Sequence, residues 1–313
     1  MTPTQVLDAS SIDRAALILR EGGLVAMPTE TVYGLAACID RPKALRAIFA
    51  AKGRPADNPL IVHCADVADL DAIAVLDERA RRLAALLMPG PLTMVLPRRE
   101  GIGDDVTAGL DTVAVRVPAH TLARALIRAA GCPVAAPSAN ISGRPSPTTA
   151  EHVLADLGGR IDAVLDGGPC SEGIESTVVG LLGPDAVLLR PGALPASTIE
   201  ALLGVPLRRA GISDGGSPGL RYRHYAPAAA VELVNTENEL EKRKQQLEHE
   251  GRSVYVVVPS AATLYADLRM GDLLQADRIL VLCDGTIRRN EALLNRLMKA
   301  AEPFTHDTTA GHD

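Results

Sequence analysis

One segment in the first quarter of the chain reads as strand, helix, strand, and its polar residues lie in the connecting loops. The apolar runs LVAMP (24–28) and LIVHC (60–64) predict two short buried strands. Between them, KALRAIFAAK predicts a helix with Asp40 as its N-cap and Pro42 in its first turn. This order of elements predicts an α/β fold whose loops carry the functional residues.

The loop after that helix is compact and cationic. Lys52 supplies a point charge, Arg54 supplies a planar fork for two phosphate oxygens, and Gly53 lets the backbone come close to a ligand. Asn58 and His63 follow within the same span. The loop therefore predicts an anion-binding site. Two alternatives stay open: the cations are solvated side chains favoured by the helix dipole, and His63 is an ordinary hydrogen-bonded residue at a strand end.

Strands and helices continue to alternate along the first 203 residues. Strands are predicted at 92–97, 112–118, 161–166, 176–182 and 186–192. Helices are predicted at 11–21 and 120–130, and a helix-rich stretch at 67–88. Thr148 with Glu151 and Ser197 with Glu200 predict capping boxes for two more helices. Several connections are short and hairpin-like, which favours a mixed, twisted sheet with flanking helices over a strictly doubly wound one.

Polar residues gather at the ends of these strands. The loop 137–148 holds Ser138, Asn140 and Ser146 in a frame of Pro and Gly. Arg116 lies on the strand face opposite three valines, where a solvent-facing arginine remains an alternative. These residues are candidates for the same site as the cationic loop.

Composition limits the classes of protein that fit. Aromatic residues make up only 2% of the 313 residues, so the cores must be aliphatic, and a net charge of -6 argues against a surface built throughout for nucleic acid. The five cysteines are scattered, which predicts neither a zinc site nor a disulfide framework and favours a reducing, cytoplasmic location. No export signal or membrane span is expected, since no apolar run approaches roughly 18 residues.

The last third of the chain predicts a second, smaller domain. Residues 204–227 form a linker rich in Gly, Pro and Arg, and residues 228–301 alternate strand and helix as in a small Rossmann-like parallel sheet. Residues 302–313 are expected to be a disordered tail. The linker segment SPGLRYRHYAP (217–227) carries aromatic and cationic groups, so we expect it to fold over a bound nucleotide as a lid.

The usual nucleotide-binding and hydrolase signatures are missing from the sequence: there is no GxxxxGK[ST], no HExxH and no GxSxG. The convergent polar set contains Lys52, Arg54, Ser138 and Asn140, with Thr31, His63, Arg116, Ser176 and Arg190 at comparable strand ends. Cations dominate it, and carboxylates are scarce apart from nearby Glu30. This balance favours stabilisation of phosphate charge over carboxylate acid/base chemistry.

Several motifs resemble the YrdC family. They are PTETVYGL (28–35), KGRP (52–55), NPLIVH (58–63), PSANISGRPSPT (137–148) and ESTVV (175–179). SPGLRYRHYAP (217–227) resembles the linker of the family's two-domain long form, and LYADLR (264–269) and NRLMKAA (295–301) are similar to its C-terminal domain. The resemblance implies a YrdC-like sheet followed by a small α/β domain. This second domain looks shorter than is usual in the family.

The resemblance also implies a reaction: L-threonine, bicarbonate and ATP, with magnesium, give L-threonylcarbamoyl-AMP and pyrophosphate. The product would pass to tRNA threonylcarbamoyl transferase proteins, which modify position 37 of tRNAs that read codons starting with A. Two other functions stay open. One is an RNA-binding module, and direct tRNA binding is undecided. The other is carbamoyl transfer in hydrogenase maturation, although the acylphosphatase-like and zinc-finger segments usual for that role are not visible.

The family's site residues carry over by motif onto this sequence. The catalytic set is Lys52, Arg54, Ser138 and Asn140. The ATP-binding set is Arg54, Asn58, Thr112, Ser138, Ser146, Arg190 and Tyr225, and the L-threonine-binding set is Thr31, His63, Arg116, Ala136 and Ser176. No protein ligand for a metal is implied. These implied roles agree with the chemistry of the side chains, because the Arg116 fork can bind an amino acid's carboxylate and hydroxyls such as Thr31 and Ser176 favour threonine over valine.

Overall fold

The computed structural model describes residues 3–55, 57–211 and 225–301. Its larger sheet has eleven strands in the order β1-β8-β2-β3-β7-β4-β6-β5-β9-β10-β11. The strands are β1 (Gln5–Leu7), β2 (Val25–Met27), β3 (Gly34–Cys38), β4 (Ile61–His63), β5 (Leu92–Pro97), β6 (Thr112–Arg116), β7 (Val134–Ala135), β8 (Ala163–Leu165), β9 (Thr177–Gly180), β10 (Val187–Arg190) and β11 (Arg208–Arg209). Parallel and antiparallel pairs both occur, which confirms the mixed sheet.

Helices cover both faces of this sheet. They are α1 (Ile12–Arg20), α2 (Pro42–Lys52), α3 (Glu78–Leu87), α4 (Asp104–Thr107), α5 (Thr121–Ala130), α6 (Ala150–Leu157) and α7 (Ala196–Leu203), with 3-10 turns at Ala9–Ser11 and Val67–Ala72. Helices α1 and α5 pack on one face through Leu19 and Leu126, while α2 and α3 pack on the other through Ile48 and Leu83. Since both faces are covered, the central strands are mostly apolar, and His63 and Arg116 lie at the ends of β4 and β6.

The ends of three helices differ from the sequence predictions. Arg41 rather than Asp40 is the N-cap of α2. Thr149 rather than Thr148 caps α6, with its side chain accepting from the His152 N–H, and Pro195 precedes α7 without a side-chain cap. The predicted end of α2 is confirmed, because Gly53 has φ 61°, a left-handed conformation that glycine adopts without cost.

The second sheet is small and parallel, as the sequence predicted. Its strands are β12 (Ala230–Val234), β13 (Val254–Val257) and β14 (Arg278–Leu282), in the order β12-β14-β13. Its helices are α8 (Glu237–His249), α9 (Leu264–Leu273), α10 (Gly285–Arg289) and α11 (Glu291–Ala301). Within this second domain, the short helix α10 was not predicted from the sequence.

The two sheets are joined through a shared apolar cluster. Val32 and Ile174 from the first domain pack with Leu264 and Leu297 from the second. At Gly173 the contact is so close that an added Cβ would lie 2.5 Å from the Ala261 carbonyl oxygen. The second domain is thus seated directly on the loops that precede β3 and β9.

The predicted linker is described only at its two ends. Residues 208–209 form strand β11 of the first sheet, so part of the predicted linker belongs to that sheet. Residues 212–224, with most of the SPGLRYRHYAP segment, lie outside the described residues, as does the predicted tail. Within the three described stretches, no helix has both the length and the apolar composition that crossing a membrane requires.

The cysteine prediction is wrong for one pair. Cys38 and Cys132 form a disulfide, with their Cα atoms 5.9 Å apart. Cys38 ends β3, and Cys132 lies just before β7, its antiparallel neighbour in the sheet. The two residues are separated by 94 positions in sequence, so no local spacing indicated the pair. The reducing compartment was predicted because no disulfide was expected, so the Cys38–Cys132 disulfide removes the support for that prediction.

Candidate active site

Loops and strand ends of the first domain enclose a cavity that Tyr225 also lines. Nine of the fourteen predicted site residues line it: Thr31, Arg54, His63, Arg116, Ala136, Ser138, Ser176, Arg190 and Tyr225. All five residues of the predicted threonine set are among them. Lys52, Asn58, Thr112, Asn140 and Ser146 are not in the lining. Most of the residues predicted from the sequence therefore line one cavity, and the other five do not line it.

The parallel strands β4 and β6 set the long axis of the site. Their register pairs His63 with Arg116 at the carboxyl ends of both strands. Asn58 and Thr112 lie toward the opposite ends, and Thr112 is four residue steps along the strand from Arg116, about 13 Å. We call the two ends of the cavity the Arg116 end and the Arg54 end.

At the Arg116 end, the arginine is buried and paired with a carboxylate. Arg116 Nη2 lies 2.7 Å from Glu30 Oε1, with side-chain exposures of 4% and 9%. Its Nε donates to the Gly90 carbonyl at 3.3 Å. The solvent-facing alternative for Arg116 is therefore wrong. Among the described residues, neither Glu30 oxygen has an aligned hydrogen-bond donor, so the attraction of Arg116 is what compensates this buried charge.

His63 is neutral and presents a lone pair to the cavity. Its Nδ1 lies 3.1 Å from the Ile61 carbonyl oxygen, which can only accept, so Nδ1 carries the proton and Nε2 is an acceptor. Burial, reinforced by the charge of Arg116, lowers the pKa of His63 to about 3. At neutral pH the imidazole can therefore orient a ligand N–H or O–H, but it is a weak base.

Two hydroxyl pairs complete this end. Thr29 Oγ1 donates to the Val32 carbonyl at 2.6 Å, so in its 2.9 Å contact with Thr31 the Thr31 hydroxyl is the donor. The Thr31 oxygen then keeps its acceptor capacity for a ligand. Ser176 contacts Thr93 at 2.8 Å in the same manner, hydroxyl to hydroxyl. At Ala136 the N–H is already bonded to the Ile61 carbonyl at 3.0 Å, which leaves its carbonyl oxygen as the available backbone group.

Lys52 and Asn140 organise the loop 137–148 from behind the cavity. Lys52 is 1% exposed, and its Nζ donates to the carbonyl oxygens of Ser138 and Asn140, the latter at 2.6 Å. The Asn140 amide donates to the carbonyls of Ile141 and Arg144. Burial, and then the charge of Arg54, lower the pKa of Lys52 well below its usual value. These contacts give both side chains a positioning role, and their predicted direct contact with phosphates stays a prediction.

The Arg54 end holds two guanidinium groups bonded to backbone oxygens. Arg54 Nη2 lies 3.4 Å and 3.3 Å from the carbonyls of Asn58 and Pro59, and its Nε has no hydrogen-bond partner among the described residues. Arg190 Nη2 donates to the Ser176 carbonyl at 2.9 Å. Burial lowers the pKa of Arg54 to about 10, which keeps it charged at neutral pH. Because carbonyl dipoles do not cancel a cation, this end attracts anions.

A buried network joins the cavity wall to the second domain. Glu175 accepts hydrogen bonds from Ser146 Oγ (2.6 Å), Tyr265 OH (2.9 Å) and Arg296 Nε (2.8 Å). Tyr225 stacks on Tyr265 at 5.4 Å between ring centroids and lies 5.2 Å from the Arg296 guanidinium carbon. Burial would raise the pKa of Glu175, but the charges of Arg296 and Arg190 outweigh it and lower that pKa to about 2.

Several of these residues were missed or misjudged from sequence. Carboxylates are not scarce at the site, because Glu30 and Glu175 both lie buried beside it, each neutralised by an arginine. Glu175 is the first residue of the ESTVV motif (175–179), so the sequence could have indicated it as a site residue. Arg296 and Tyr265 gave no sign of a site role, because they contact Glu175 across 121 and 90 positions of sequence.

Among the described residues that line the cavity, the one carboxylate, Glu175, is already paired with Arg296, so none is free to bind magnesium. Mg²⁺ requires oxygen ligands, usually one or two carboxylates together with substrate phosphates. Both carboxylates beside the cavity are engaged by arginines. Across the described residues, Cys38, Asp40 and Cys132 form the one cluster with metal-ligand spacing, and its two sulfurs are joined to each other. The site thus fits a magnesium ion that arrives on a nucleotide's phosphates better than a resident one.

Known proteins resemble both domains of this chain. Residues 17–192 match the model of the Sua5, YciO and YrdC proteins, described as Telomere recombination, and residues 195–302 match the threonylcarbamoyl-AMP synthase C-terminal domain. A threonylcarbamoyl-AMP synthase of Bacillus subtilis is 43% identical over 93% of this chain and 92% of its own length. One of Pyrococcus abyssi is 43% identical over 92% of this chain and 93% of its own.

A solved structure gives the same result for the fold. The crystal structure of P. abyssi Sua5 complexed with L-threonine is 40% identical, with a TM-score of 0.88, and the match covers 96% of this chain and 98% of that one. The predicted resemblance is therefore confirmed over both domains, including the fold class. By its family matches and its two-domain architecture, the chain belongs to the Sua5/YciO/YrdC family, in the form that carries the threonylcarbamoyl-AMP synthase C-terminal domain.

Proposed function

We propose that this protein is a nucleotidyltransferase that makes L-threonylcarbamoyl-AMP and pyrophosphate from L-threonine, bicarbonate and ATP. The observation that carries the proposal is a single cavity with different recognition groups at its two ends. The Arg116 end combines a buried guanidinium with hydroxyls and a neutral imidazole, and the Arg54 end presents Arg54 and Arg190. An amino acid and a triphosphate fit these groups side by side.

The proposed chemistry proceeds in two balanced steps. The free amine of threonine and bicarbonate form a carbamate, with loss of water. A carbamate oxygen then attacks the α-phosphorus of ATP, the bond from that phosphorus to the β-phosphate bridging oxygen breaks, and pyrophosphate leaves with the bonding electrons. Catalysis of such a transfer depends mainly on alignment and on stabilisation of the leaving phosphates.

At the Arg116 end we assign the threonine contacts. Arg116 binds the carboxylate of the amino acid with the part of its fork that Glu30 does not use. His63 Nε2 accepts from the substrate's amine or hydroxyl and orients it. Thr31 and Ser176 bond the threonine hydroxyl, and the Ala136 carbonyl accepts from the amine. A substrate without the hydroxyl, such as valine, leaves these buried oxygens unpaired and binds more weakly.

At the Arg54 end we assign the nucleotide. Arg54, Arg190 and the Ser138 hydroxyl contact the phosphates, while Lys52 and Asn140 hold the 137–148 loop that presents Ser138. Asn58 and Thr112 lie where the nucleoside extends beyond this end, and Tyr225 covers the bound nucleotide. Ser146 acts through Glu175. The magnesium ion is part of the MgATP substrate and neutralises charge on the pyrophosphate that leaves.

The proposed product is an activated acyl donor. Its mixed anhydride must be consumed by a transferase that moves the threonylcarbamoyl group to position 37 of tRNA, and this use makes the cytoplasm the expected compartment. The match of residues 195–302 to the threonylcarbamoyl-AMP synthase C-terminal domain favours this function over RNA binding alone and over carbamoyl transfer in hydrogenase maturation.

Pyrophosphate release by the purified protein tests the proposal. We expect release that requires ATP, L-threonine and bicarbonate together, with valine replacing threonine poorly. A tRNA mobility-shift assay run in parallel tests the binding alternative. Tight tRNA binding with no threonine-dependent pyrophosphate would refute the proposed function.

A further inference from the structure

The second domain reaches the wall of the cavity through two side chains. Arg296 on α11 and Tyr265 on α9 are both fully buried, at 0% exposure, and both bond to Glu175. Glu175 immediately precedes Ser176 and lines the cavity. Arginine is seldom fully buried unless it is paired, so the contact between Arg296 and Glu175 is a specific part of the domain interface.

Besides its sequence neighbour Asn295, Arg296 has three partners at this interface. Its Nε donates to Glu175 Oε2 at 2.8 Å, and its Nη1 donates to the Pro191 carbonyl, also at 2.8 Å. Its guanidinium carbon lies 5.2 Å from the centroid of the Tyr225 ring, within the range of a cation–π contact. Tyr225 has φ 65°, a conformation that residues other than glycine seldom adopt unless their surroundings hold them.

The electrostatic consequence concerns ligand binding. Glu175 is a carboxylate on the wall of a cavity that we propose for a triphosphate, and an uncompensated negative charge there would repel that ligand. Arg296 and the Tyr265 hydroxyl compensate it from the side away from the cavity. Removing either donor would leave a buried carboxylate without one of its partners.

We propose that Arg296 and Tyr265 are positioning residues supplied by the second domain, which neutralise Glu175 and hold Tyr225 so that the Arg54 end of the cavity accepts ATP. This inference rests on the proposed function and adds a role for the second domain in nucleotide affinity. It assigns neither residue a contact with the reacting atoms.

The first test uses Arg296→Met in the full chain. We expect the Kd of a non-hydrolysable ATP analogue to rise at least tenfold, while the KM for threonine changes less than threefold, because Arg116 and its partners lie at the other end. The variant Arg296→Lys, which keeps the charge but loses the fork, should recover part of the affinity.

A second substitution separates charge compensation from structural damage. In a chain that carries Arg296→Met together with Glu175→Gln, the carboxylate is gone, so at least half of the lost affinity, on a logarithmic scale, should return. Arg243→Met is the matched control. It breaks an ion pair of 2.6 Å to Glu232 within the second domain and should leave the analogue's Kd unchanged.

Three outcomes would overturn the inference. They are an unchanged analogue Kd in Arg296→Met, equal losses for ATP and threonine, or no recovery in the double variant. If Arg296→Met does not fold, Tyr265→Phe keeps the ring stack and removes one donor to Glu175, and wild-type affinity in that variant would also overturn it. Failure of the wild type to bind the analogue or to release pyrophosphate would instead refute the proposed function.

Discussion

The Arg116 end of the cavity is built within one domain, whereas the Arg54 end depends on two. Arg116, His63 and Ser176 are fixed by strand register, by an ion pair and by short hydrogen bonds inside the first sheet. At the other end, Tyr225 belongs to the predicted linker, and its neighbours Tyr265 and Arg296 belong to the second domain. Under the proposed function, amino-acid recognition is therefore preformed, whereas nucleotide recognition also depends on how the second domain is seated.

The largest effect is expected at the preformed end. Arg116→Ala removes the carboxylate fork and leaves Glu30 buried without its cation, where it also repels the substrate's carboxylate. We expect threonine-dependent pyrophosphate release to fall by about 100-fold. Steady-state kinetics with varied threonine measure the change. Arg128→Ala, which removes an exposed arginine that pairs with Asp66, is the control and should retain wild-type rates. Activity within threefold of the wild type would contradict the assignment of Arg116.

At the Arg54 end we expect a somewhat smaller effect. Arg54→Met keeps the length of the side chain but removes a buried cation whose bonds go to backbone carbonyls. The KM for ATP should rise about 50-fold, because a charge-assisted contact to a phosphate is lost, while the KM for threonine changes little. Equal changes in both constants would mean that the two ends are not independent.

The buried histidine predicts a pH dependence of stability. The pKa of His63 is lowered from 6.5 to about 3, so the unfolded state binds an extra proton between these values and the free energy of unfolding falls as the pH drops below 6.5. In His63→Asn this contribution is absent. Between pH 7 and pH 5, the wild type should lose about 2 kcal/mol more than the variant. Urea unfolding at the two pH values measures this, and parallel losses would show that His63 is not buried in its neutral form.

The smallest effect is expected at Ser146. Its hydroxyl donates to Glu175 and does not line the cavity, and Glu175 keeps Arg296 and Tyr265 as partners when the hydroxyl is removed. Ser146→Ala should raise the KM for ATP by only about threefold, because the two remaining donors still compensate the Glu175 carboxylate. A loss as large as that of Arg54→Met would mean that Ser146 contacts the nucleotide directly.

Much of the fold could be predicted from the sequence, because its strands are short apolar runs bounded by turn residues. β5 lies at the predicted residues, 92–97, and the mixed sheet followed by a parallel one is confirmed. Helix caps were less predictable, since Thr148 and Thr149 are equally suitable and the choice depends on how the chain enters α6.

The site was predictable only for groups that stand in local motifs. Hydroxyls, cations and the imidazole at strand ends were found in this way. The partners that set their charge were not found. A solvent-facing Arg116 stayed open as an alternative because its pairing with Glu30 was not predicted, and Arg296 reads as one arginine of an amphipathic helix. The contacts of Glu175 with Tyr265 and Arg296 span 90 and 121 positions, so they depend on how the two domains pack. No periodic pattern in the sequence indicates such contacts.

Gly173 has a consequence for how the two domains can be set apart. The backbone of Ala261 and Ala262 occupies the place where a Cβ of residue 173 would lie, and its φ of 71° is itself unfavourable for other residues. Any side chain at position 173 would push the backbone of Ala261 and Ala262 away from the first domain. Since Glu175 is two residues further on, this displacement would also move Tyr265 and Arg296 away from Glu175. The distance between the two domains therefore depends on residue 173 having no side-chain methyl group.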